Sequence, residues 1–422
     1  MAWNDDLEGP TLEIAASDQS PLRVVAGPGT GKTFALKRRV ARLLEIGVSP
    51  SQILLVTFTR MAARDTEREI LTLNVPGVER VRKGTLHSFC FSTLNQANVL
   101  RIIGRIPRPL MLFEERFMLE DLGLDQAEYR ENYHQRRKRL RAFEAAWARL
   151  QDQQPGWPAS DADRHFQGIL NEWLRFHMAM LVGELVPITL SYLRDNPGCP
   201  ERGHYQHVLV DEYQDLNKAE QRLIDLLAEN GHLTVVGDED QSIYEDFRYA
   251  HPEGISHFED DHPETFDIPL VECRRCPTRV IAMAKHLIEV NIRRLRHPLL
   301  PYPGRPRGEV SVVQWPSMQD EANGIAEFIA RKIESYEFEP GKTLVLCPRR
   351  QFGYMLRDAL AQRGVTAHSF FQEEILEGNP KQLGDSLAQQ AFTLLNLLVN
   401  PNDPVTLRCW LGFGSPSLRV NE

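Results

Sequence analysis

The stretch VVAGPGTGKT, Val24 to Thr33, places three glycines, a lysine and a hydroxyl residue between an apolar run and a helical pattern. Glycines let successive backbone N–H groups turn inward around phosphate oxygens, and the N-terminus of the following helix adds its dipole. Ala26, Gly27, Pro28, Gly29, Thr30 and Gly31 form the loop, Lys32 is spaced to reach β and γ phosphates, and the Thr33 hydroxyl suits Mg²⁺. A plain glycine-rich turn would account for the glycines, but the strand-to-helix context favours a grip on a nucleoside triphosphate. Such a loop needs an acidic partner on a neighbouring strand, and VLVDEYQD supplies one. Asp211 is placed to hold the magnesium through water, and Glu212 to orient and activate an attacking water. In VVGDEDQSIY, Gln241 follows a strand and is the candidate for sensing the γ phosphate.

These residues need strands that end together. LRVVA (22–26) and ILLVTF (53–58) read as short buried strands, each followed by a helical pattern, from Lys32 to about Ile46 and through RMAARDTEREI. HVLVDE (207–212), the helix KAEQRLIDLLAEN and LTVVGD (233–238) repeat the alternation. That order predicts an α/β fold with a parallel sheet covered by helices. Between about Cys90 and Gly203 the strand signal lapses and Leu, Arg, Glu and Trp recur at helical spacing, predicting a helical insertion. The Pro- and Gly-rich segment RHPLLPYPGRPRGEV (296–310) reads as a surface crossing. Beyond it VSVVQW, TLVLCP and VTAHSFF, separated by two helical patterns, predict the beginning of a second α/β domain, and helical sequence follows from about Leu383.

Composition narrows the classes. At 422 residues, with 42% hydrophobic and 25% charged side chains, the chain has the make-up of a soluble protein of two to four domains. No apolar run approaches the roughly 20 residues that span a bilayer, and the acidic start MAWNDDLEGP is unlike a signal peptide, so a cytoplasmic location with no membrane partner is expected. Six scattered cysteines make no disulfide framework. The net charge of −9 argues against a protein that coats nucleic acid, yet leaves room for a local basic groove. RRKRLR, Arg136 to Arg141, is either such a groove or a solvated helix face.

The ordered set AGPGTGKT, VTFTRMAARD, GTLHSF, LVDEYQD and GDEDQSIY, spread over residues 26–250, resembles the UvrD/Rep/PcrA type of superfamily 1 DNA helicases. The resemblance implies two RecA-like P-loop domains, each with an inserted helical subdomain, ATP and Mg²⁺ between them, and 3′-to-5′ movement on single-stranded DNA or at single/double-strand junctions. The expected division is 1–90 with 204–268 for the first RecA-like domain and 91–203 for its insertion. Residues 269–382 would begin the second RecA-like domain, and 383–422 the second insertion. Thr57, Phe58, Thr59 and Arg60, with Thr85 and His87, take the place of the family's DNA-backbone contacts, which suits small hydroxyls at strand-to-helix turns. Phe247 and Arg248 stand near the position of a family tryptophan on which bases stack, with one extra residue in this sequence.

In PLVECRRCPTRV the resemblance gives Arg275 the role of an arginine reaching the γ phosphate, and puts Arg274 where the family has tyrosine. The family arginine after GKT is Phe34, and the family glutamine upstream is Thr11. The two groups expected to sandwich the base, Phe34 and Arg274, have thus exchanged aromatic for cation, which predicts a weaker demand for adenine. The lone CxxC, Cys273 and Cys276, reads as packing rather than as a metal site. No late family motif is recognisable after Val310, which predicts a truncated motor that binds ATP–Mg²⁺ but hydrolyses it poorly. The competing readings are a nucleotide-gated single-stranded-DNA-binding module, or a motor subunit completed by a partner such as a nuclease or by a second chain.

Overall fold

A computed structural model describes residues 3–73, 75–123, 131–290, 298–368 and 376–418, without the side chains of Arg60, Met61 and Phe247. The chain divides into two compact units, residues 1–309 with 392–422, and residues 310–391.

The first unit is organised by a six-stranded parallel sheet. Its strands are β1 (Leu22–Val25), β2 (Ile53–Val56), β3 (Arg82–Gly84), β4 (His207–Val210), β5 (His232–Gly237) and β6 (Phe266–Asp267), in the order β3-β2-β4-β5-β1-β6. The central strands are apolar on both faces because both faces are covered. Ile53, Leu55, Leu209 and Val236 point into one core, which they share with Ile14, Ala35, Leu36 and Val40. Leu54, Val56, Val208, Val210 and Val235 point into the other, with Leu86, Phe89, Leu223 and Ile224. The first core is closed by α1 (Gly9–Ala16), α2 (Lys32–Glu45) and α3 (Arg60–Leu71). The second is closed by α4 (Leu86–Leu94), and from further along by the helices that end the insertion and follow β4.

Two buried arginines tie the edge strand and the covering helices in place. Arg23, on β1, donates from Nε and Nη2 to the two Asp267 carboxylate oxygens at 2.6 and 2.9 Å, pinning edge strand β6. Arg39, 1% exposed, donates through Nη1 to the Ile14 carbonyl at 2.8 Å and the Ser17 carbonyl at 2.5 Å. It thereby satisfies carbonyls at the end of α1 that the helix cannot pair itself.

The insertion consists of α5 (Ala97–Ile103), α6 (Leu112–Asp121), α7 (Tyr133–Ala148), α8 (Asp161–Phe176) and α9 (Leu185–Asp195), after which the chain returns to the sheet as β4, and α10 (Lys218–Ala228) connects β4 to β5. Within RRKRLR, Arg136 is 6% exposed and donates to the Glu131 carbonyl and to Glu120. Arg139 is paired with Glu131 and Asp163. Two of the five basic side chains therefore hold the insertion together and do not form a basic face.

The second unit differs from the strand expectation. Helices Met318–Glu334 and Arg350–Ala361 pack together over Ala322, Ala326, Phe352 and Leu356. VSVVQW, TLVLCP and the described part of VTAHSFF carry no strand pairing, and residues 369–371 lie outside the described residues. In the last two segments the side chains nevertheless alternate. Val345, Cys347, Val365 and Ala367 pack on the helical core, while Leu344 and Leu346 are exposed. Strand propensity becomes a ladder only where a neighbour supplies hydrogen bonds in register.

Candidate functional site

The phosphate loop joins β1 to α2. The Ala26 N–H donates to the Gly237 carbonyl at 3.0 Å, so the loop leaves the sheet beside β5. Gly29 and Gly31 have φ of +72° and +100°, a region costly for residues with a Cβ. Gly31 is the N-cap of α2, and the Thr30 hydroxyl donates to the Gly27 carbonyl at 2.8 Å, closing the turn. These conformations leave the first N–H groups of α2 beside Lys32 and Thr33, which is the arrangement that receives an anion. Pro28 lies in the same turn between Gly27 and Gly29.

Lys32 is 8% exposed, and its ammonium lies 3.1 Å from Glu212 Oε2. The Thr33 hydroxyl donates to Asp211 Oδ2 at 2.9 Å, and the other Asp211 oxygen accepts from the Glu212 N–H at 3.1 Å. Glu212 has φ of +55°, unusual for a residue with a long side chain. That turn aims consecutive carboxylates at the same loop, where an ordinary strand would send them to opposite faces. Gln214, 1% exposed, donates to Glu212 Oε2 at 3.0 Å and accepts from the Asp238 N–H at 3.0 Å. It ties the carboxylate pair to the loop carrying Gln241, whose amide donates to Asp238 Oδ2 at 2.7 Å. A Cβ at Gly237 would come within 2.4 Å of the Gln214 amide oxygen, so this link depends on glycine there.

The site is rich in carboxylates. Burial first, and then repulsion from Glu212, push Asp211 up to about 6 and Asp215 up to about 7. Burial also raises Asp238. A divalent cation would restore the charged form of Asp211. Thr33 and Asp211 are hard oxygen donors of the kind Mg²⁺ takes alongside substrate phosphates. Among the described residues no three His, Cys, Asp or Glu side chains converge as a metal cage, and Mg²⁺ at a phosphate loop does not need one.

Arg274 and Arg275 reach this loop through β7 (Glu272–Cys273), which pairs with β8 (Leu300–Pro301). The Arg274 N–H donates to the Gly29 carbonyl at 2.9 Å. A Cβ built on Gly29 would lie 2.7 Å from the Arg275 Cβ and 3.0 Å from the Cys273 sulfur. The arginine segment is therefore packed directly on the phosphate loop, with Cys273 fully buried beneath it. Phe34 is 38% exposed on the first turn of α2, with the Arg38 guanidinium 5.2 Å from its ring centroid. Arg274 stacks on Tyr302 at 4.7 Å.

The other half of the same sheet edge has a different chemistry. Thr59 and Thr85 are the N-caps of α3 and α4, accepting from the Ala62 and Ser88 N–H groups at 3.0 and 3.3 Å. Because β2 and β3 are parallel neighbours, the two helix N-termini emerge side by side. A hydroxyl that accepts in a cap keeps its own hydrogen to donate, and helix N-termini favour phosphates. Thr57 is buried and donates its N–H to the Gly84 carbonyl at 3.0 Å, so it fixes the turn. His87 lies 3.4 Å from Glu220. Phe58 faces Tyr244 at 5.0 Å between centroids, and the Arg248 guanidinium lies 5.0 Å from the Phe58 ring. The side chains of Arg60 and Phe247 lie outside the described residues.

Sequence reasoning gave no role to Gln214 or Tyr244. Each stands inside a motif already quoted, and each shows its partner only once β4, β5 and the loop after β2 lie side by side.

Comparison with known proteins agrees with this geometry. The sequence model described as the UvrD/REP helicase N-terminal domain matches residues 8–263. The ATP-dependent DNA helicase UvrD1 of Mycobacterium tuberculosis is 29% identical over 429 residues, covering 96% of this chain and 54% of the relative. The ATP-dependent DNA helicase PcrA of Staphylococcus aureus is 28% identical over 413 residues, covering 94% of this chain and 54% of the relative. The chain thus spans about half the length of the curated relatives it matches. With a matching phosphate loop, carboxylate strand and paired helix N-termini on one sheet edge, the chain belongs to the UvrD/REP helicase family.

Proposed function

We propose that this chain is the ATP-binding and DNA-gripping part of a motor that moves 3′ to 5′ on single-stranded DNA by hydrolysing ATP. The observation that carries the reading is the double link across β1 and β4, Lys32 to Glu212 and Thr33 to Asp211, on the edge where α3 and α4 also present their N-termini. Residues 1–90 with 204–268 form the ATP-binding domain in this reading, 91–203 its insertion, 269–382 the beginning of a second RecA-like domain and 383–422 the start of a second insertion.

A triphosphate entering the loop competes with Glu212 for the Lys32 ammonium. Binding therefore frees the carboxylate to hold and deprotonate the attacking water, with Gln214 keeping it aimed. Mg²⁺ held near Thr33 and Asp211 would offset charge on the β and γ oxygens. Gln241 exchanges Asp238 for the γ phosphate and relays its presence along the loop that leads to Tyr244 and Arg248. Arg275 neutralises charge developing in the transition state. The DNA backbone lies across the α3 and α4 N-termini, touching Thr59, Arg60, Thr85 and His87, with buried Thr57 setting the turn beneath them, and bases stack by Phe58, Tyr244 and Phe247. Single-stranded DNA, alone or at a junction with duplex, is the substrate.

Steady-state ATP hydrolysis with and without single-stranded DNA tests this. The expected result is turnover that DNA stimulates at least about tenfold and that Glu212→Gln abolishes. Nucleotide-dependent DNA binding without measurable turnover would replace the motor with a nucleotide-gated clamp. Equal turnover with and without DNA would remove DNA from the reading.

A further inference from the structure

The loop that follows Gln241 ends on the insertion. Gln241, Tyr244 and Arg248 succeed one another along it, and Tyr249, the next residue, caps the short helix Glu245–Arg248. The Tyr249 hydroxyl donates to the Arg141 carbonyl at 3.0 Å, and the Arg149 guanidinium lies 5.3 Å from the centroid of the same ring. Both partners belong to the C-terminal half of α7, Arg141 within the helix and Arg149 as its C-cap. A helical carbonyl keeps a second lone pair after its intrahelical bond, so Arg141 accepts the hydroxyl without giving up the helix. The backbone of RRKRLR, whose Arg136 and Arg139 turn to internal carboxylates, thus provides an anchor that its charges do not announce.

Tyr249 holds this position in a strained backbone. Its φ is +58° and its ψ +33°, a left-handed conformation that is costly for a residue with a Cβ and easy for glycine. A residue keeps such a conformation when its surroundings over-determine it. Here they do so from two sides. Ala250 bridges Asn217, and the His251 N–H donates to the Leu216 carbonyl at 2.9 Å, so the chain just after Tyr249 is fixed to the segment between Glu212 and α10. The Tyr249 side chain fixes the same point to α7. A loop clamped at its far end cannot lose a displacement there. A shift that starts at Gln241 is therefore passed to Tyr244, to Arg248 and, through the tyrosine hydroxyl, to the insertion.

We propose that Tyr249 is a positioning residue that couples the insertion to the γ-phosphate site, by holding α7 to the Gln241 loop through its hydroxyl. The inference rests on the triphosphate reading above and goes past it, since that reading ends at the rings around Phe58. The element with two arrangements is Gln241, whose amide now donates to Asp238 Oδ2 at 2.7 Å and exchanges it for a γ phosphate. In the exchange the loop draws on the Tyr249–Arg141 bond, and the ease with which the last turns of α7 open changes with it.

Backbone hydrogen exchange over α7 tests this, on the full chain with Mg²⁺, with and without a non-hydrolysable ATP analogue. In the unaltered chain the analogue is expected to change exchange in residues 141–148 by about threefold or more. Tyr249→Phe keeps the ring beside Arg149 and removes the hydroxyl, whereas Tyr249→Gly removes the side chain and the strain together. In both variants the response of α7 should fall to within about 1.5-fold, while the analogue binds as tightly as before. The melting temperature of Tyr249→Gly should move by no more than about 3 °C, because relief of strain offsets the lost contact. A response of α7 that persists in Tyr249→Phe would overturn the proposal, and so would an α7 that ignores the bound analogue in the unaltered chain. Failure of the unaltered chain to bind the analogue, read by displacement of a fluorescent N-methylanthraniloyl ATP, would overturn the triphosphate reading and the coupling with it. That outcome is distinct, because exchange would then be unchanged at residues 26–33 as well.

Discussion

The two halves of the sheet's carboxyl edge handle anions in opposite ways. At β1, β4 and β5 the groups are buried and already engaged with one another: Lys32 with Glu212, Thr33 with Asp211, Gln214 with both loops. At β2 and β3 the groups are capped helix N-termini and half-buried rings, with Phe58 between Tyr244 and Arg248. The first half suits one ligand of fixed geometry whose charge must be matched atom by atom. The second suits a polymer that slides, since N–H groups and ring faces hold phosphates and bases without reading sequence. Single substitutions should therefore act sharply on the first half and gradually on the second.

The largest effects sharpen that contrast. Lys32→Ala should remove ATP turnover, by about 10³-fold or more, and weaken triphosphate binding in a displacement titration. Glu212→Gln should reduce turnover by about 10²–10⁴-fold while triphosphate affinity is kept or rises, because the competing carboxylate has gone. If affinity fell as steeply as turnover, the Lys32–Glu212 contact would be a structural pair and not a competitor for the ligand.

On the other half, Phe58→Ala or Tyr244→Ala should weaken single-stranded DNA by on the order of tenfold in fluorescence anisotropy, leaving triphosphate affinity unchanged. The loss should be similar for all homopolymer sequences. A strong base preference in the unaltered chain would break the comparison, since it would mean that base edges are read there. A smaller effect is expected for Thr59→Ala and Thr85→Ala, which each remove a cap worth about 1 kcal/mol. DNA affinity should fall modestly and the melting temperature with it, whereas the serine variants should recover both.

The smallest predicted effect lies at the opposite, amino edge of the sheet. His207 and His232 face each other at 4.8 Å where β4 and β5 begin, and burial, followed by the charge of His232, pushes His207 down to about 4. Unfolded, the imidazole takes up a proton near pH 6.5 that the folded chain refuses. This contribution is full above pH 6.5 and is lost as pH falls toward 4. The melting temperature should drop by about 2–4 °C more between pH 7 and pH 5 in the unaltered chain than in His207→Gln. An equal drop in both would assign the pH dependence to other groups.

Much of the phosphate-loop half was legible in the sequence because its residues are local. VVAGPGTGKT, VLVDEYQD and VVGDEDQSIY each follow an apolar strand run, and the structure brings all three to one edge. The second unit was less legible. TLVLCP has the composition of a buried strand and keeps the period-2 alternation of one, with Val345 and Cys347 inward, yet it makes no ladder. RRKRLR looked uniform in sequence, but Arg136 and Arg139 turn to internal carboxylates.

The sequence alone determined which groups are candidates for chemistry, because side-chain type and the spacing between strand end and helix start are written along the chain. Local backbone demands were there too, in the glycines that reach φ of +72° and +100°. Tertiary structure decided the partners: that Gln214 joins Glu212 to the Gln241 loop, that Tyr244 meets Phe58, and that Tyr302 backs Arg274. Those contacts depend on strand order and on which loops cross at the sheet edge. Strand order is set by how two apolar faces are buried together, a property of the whole domain that no single segment carries.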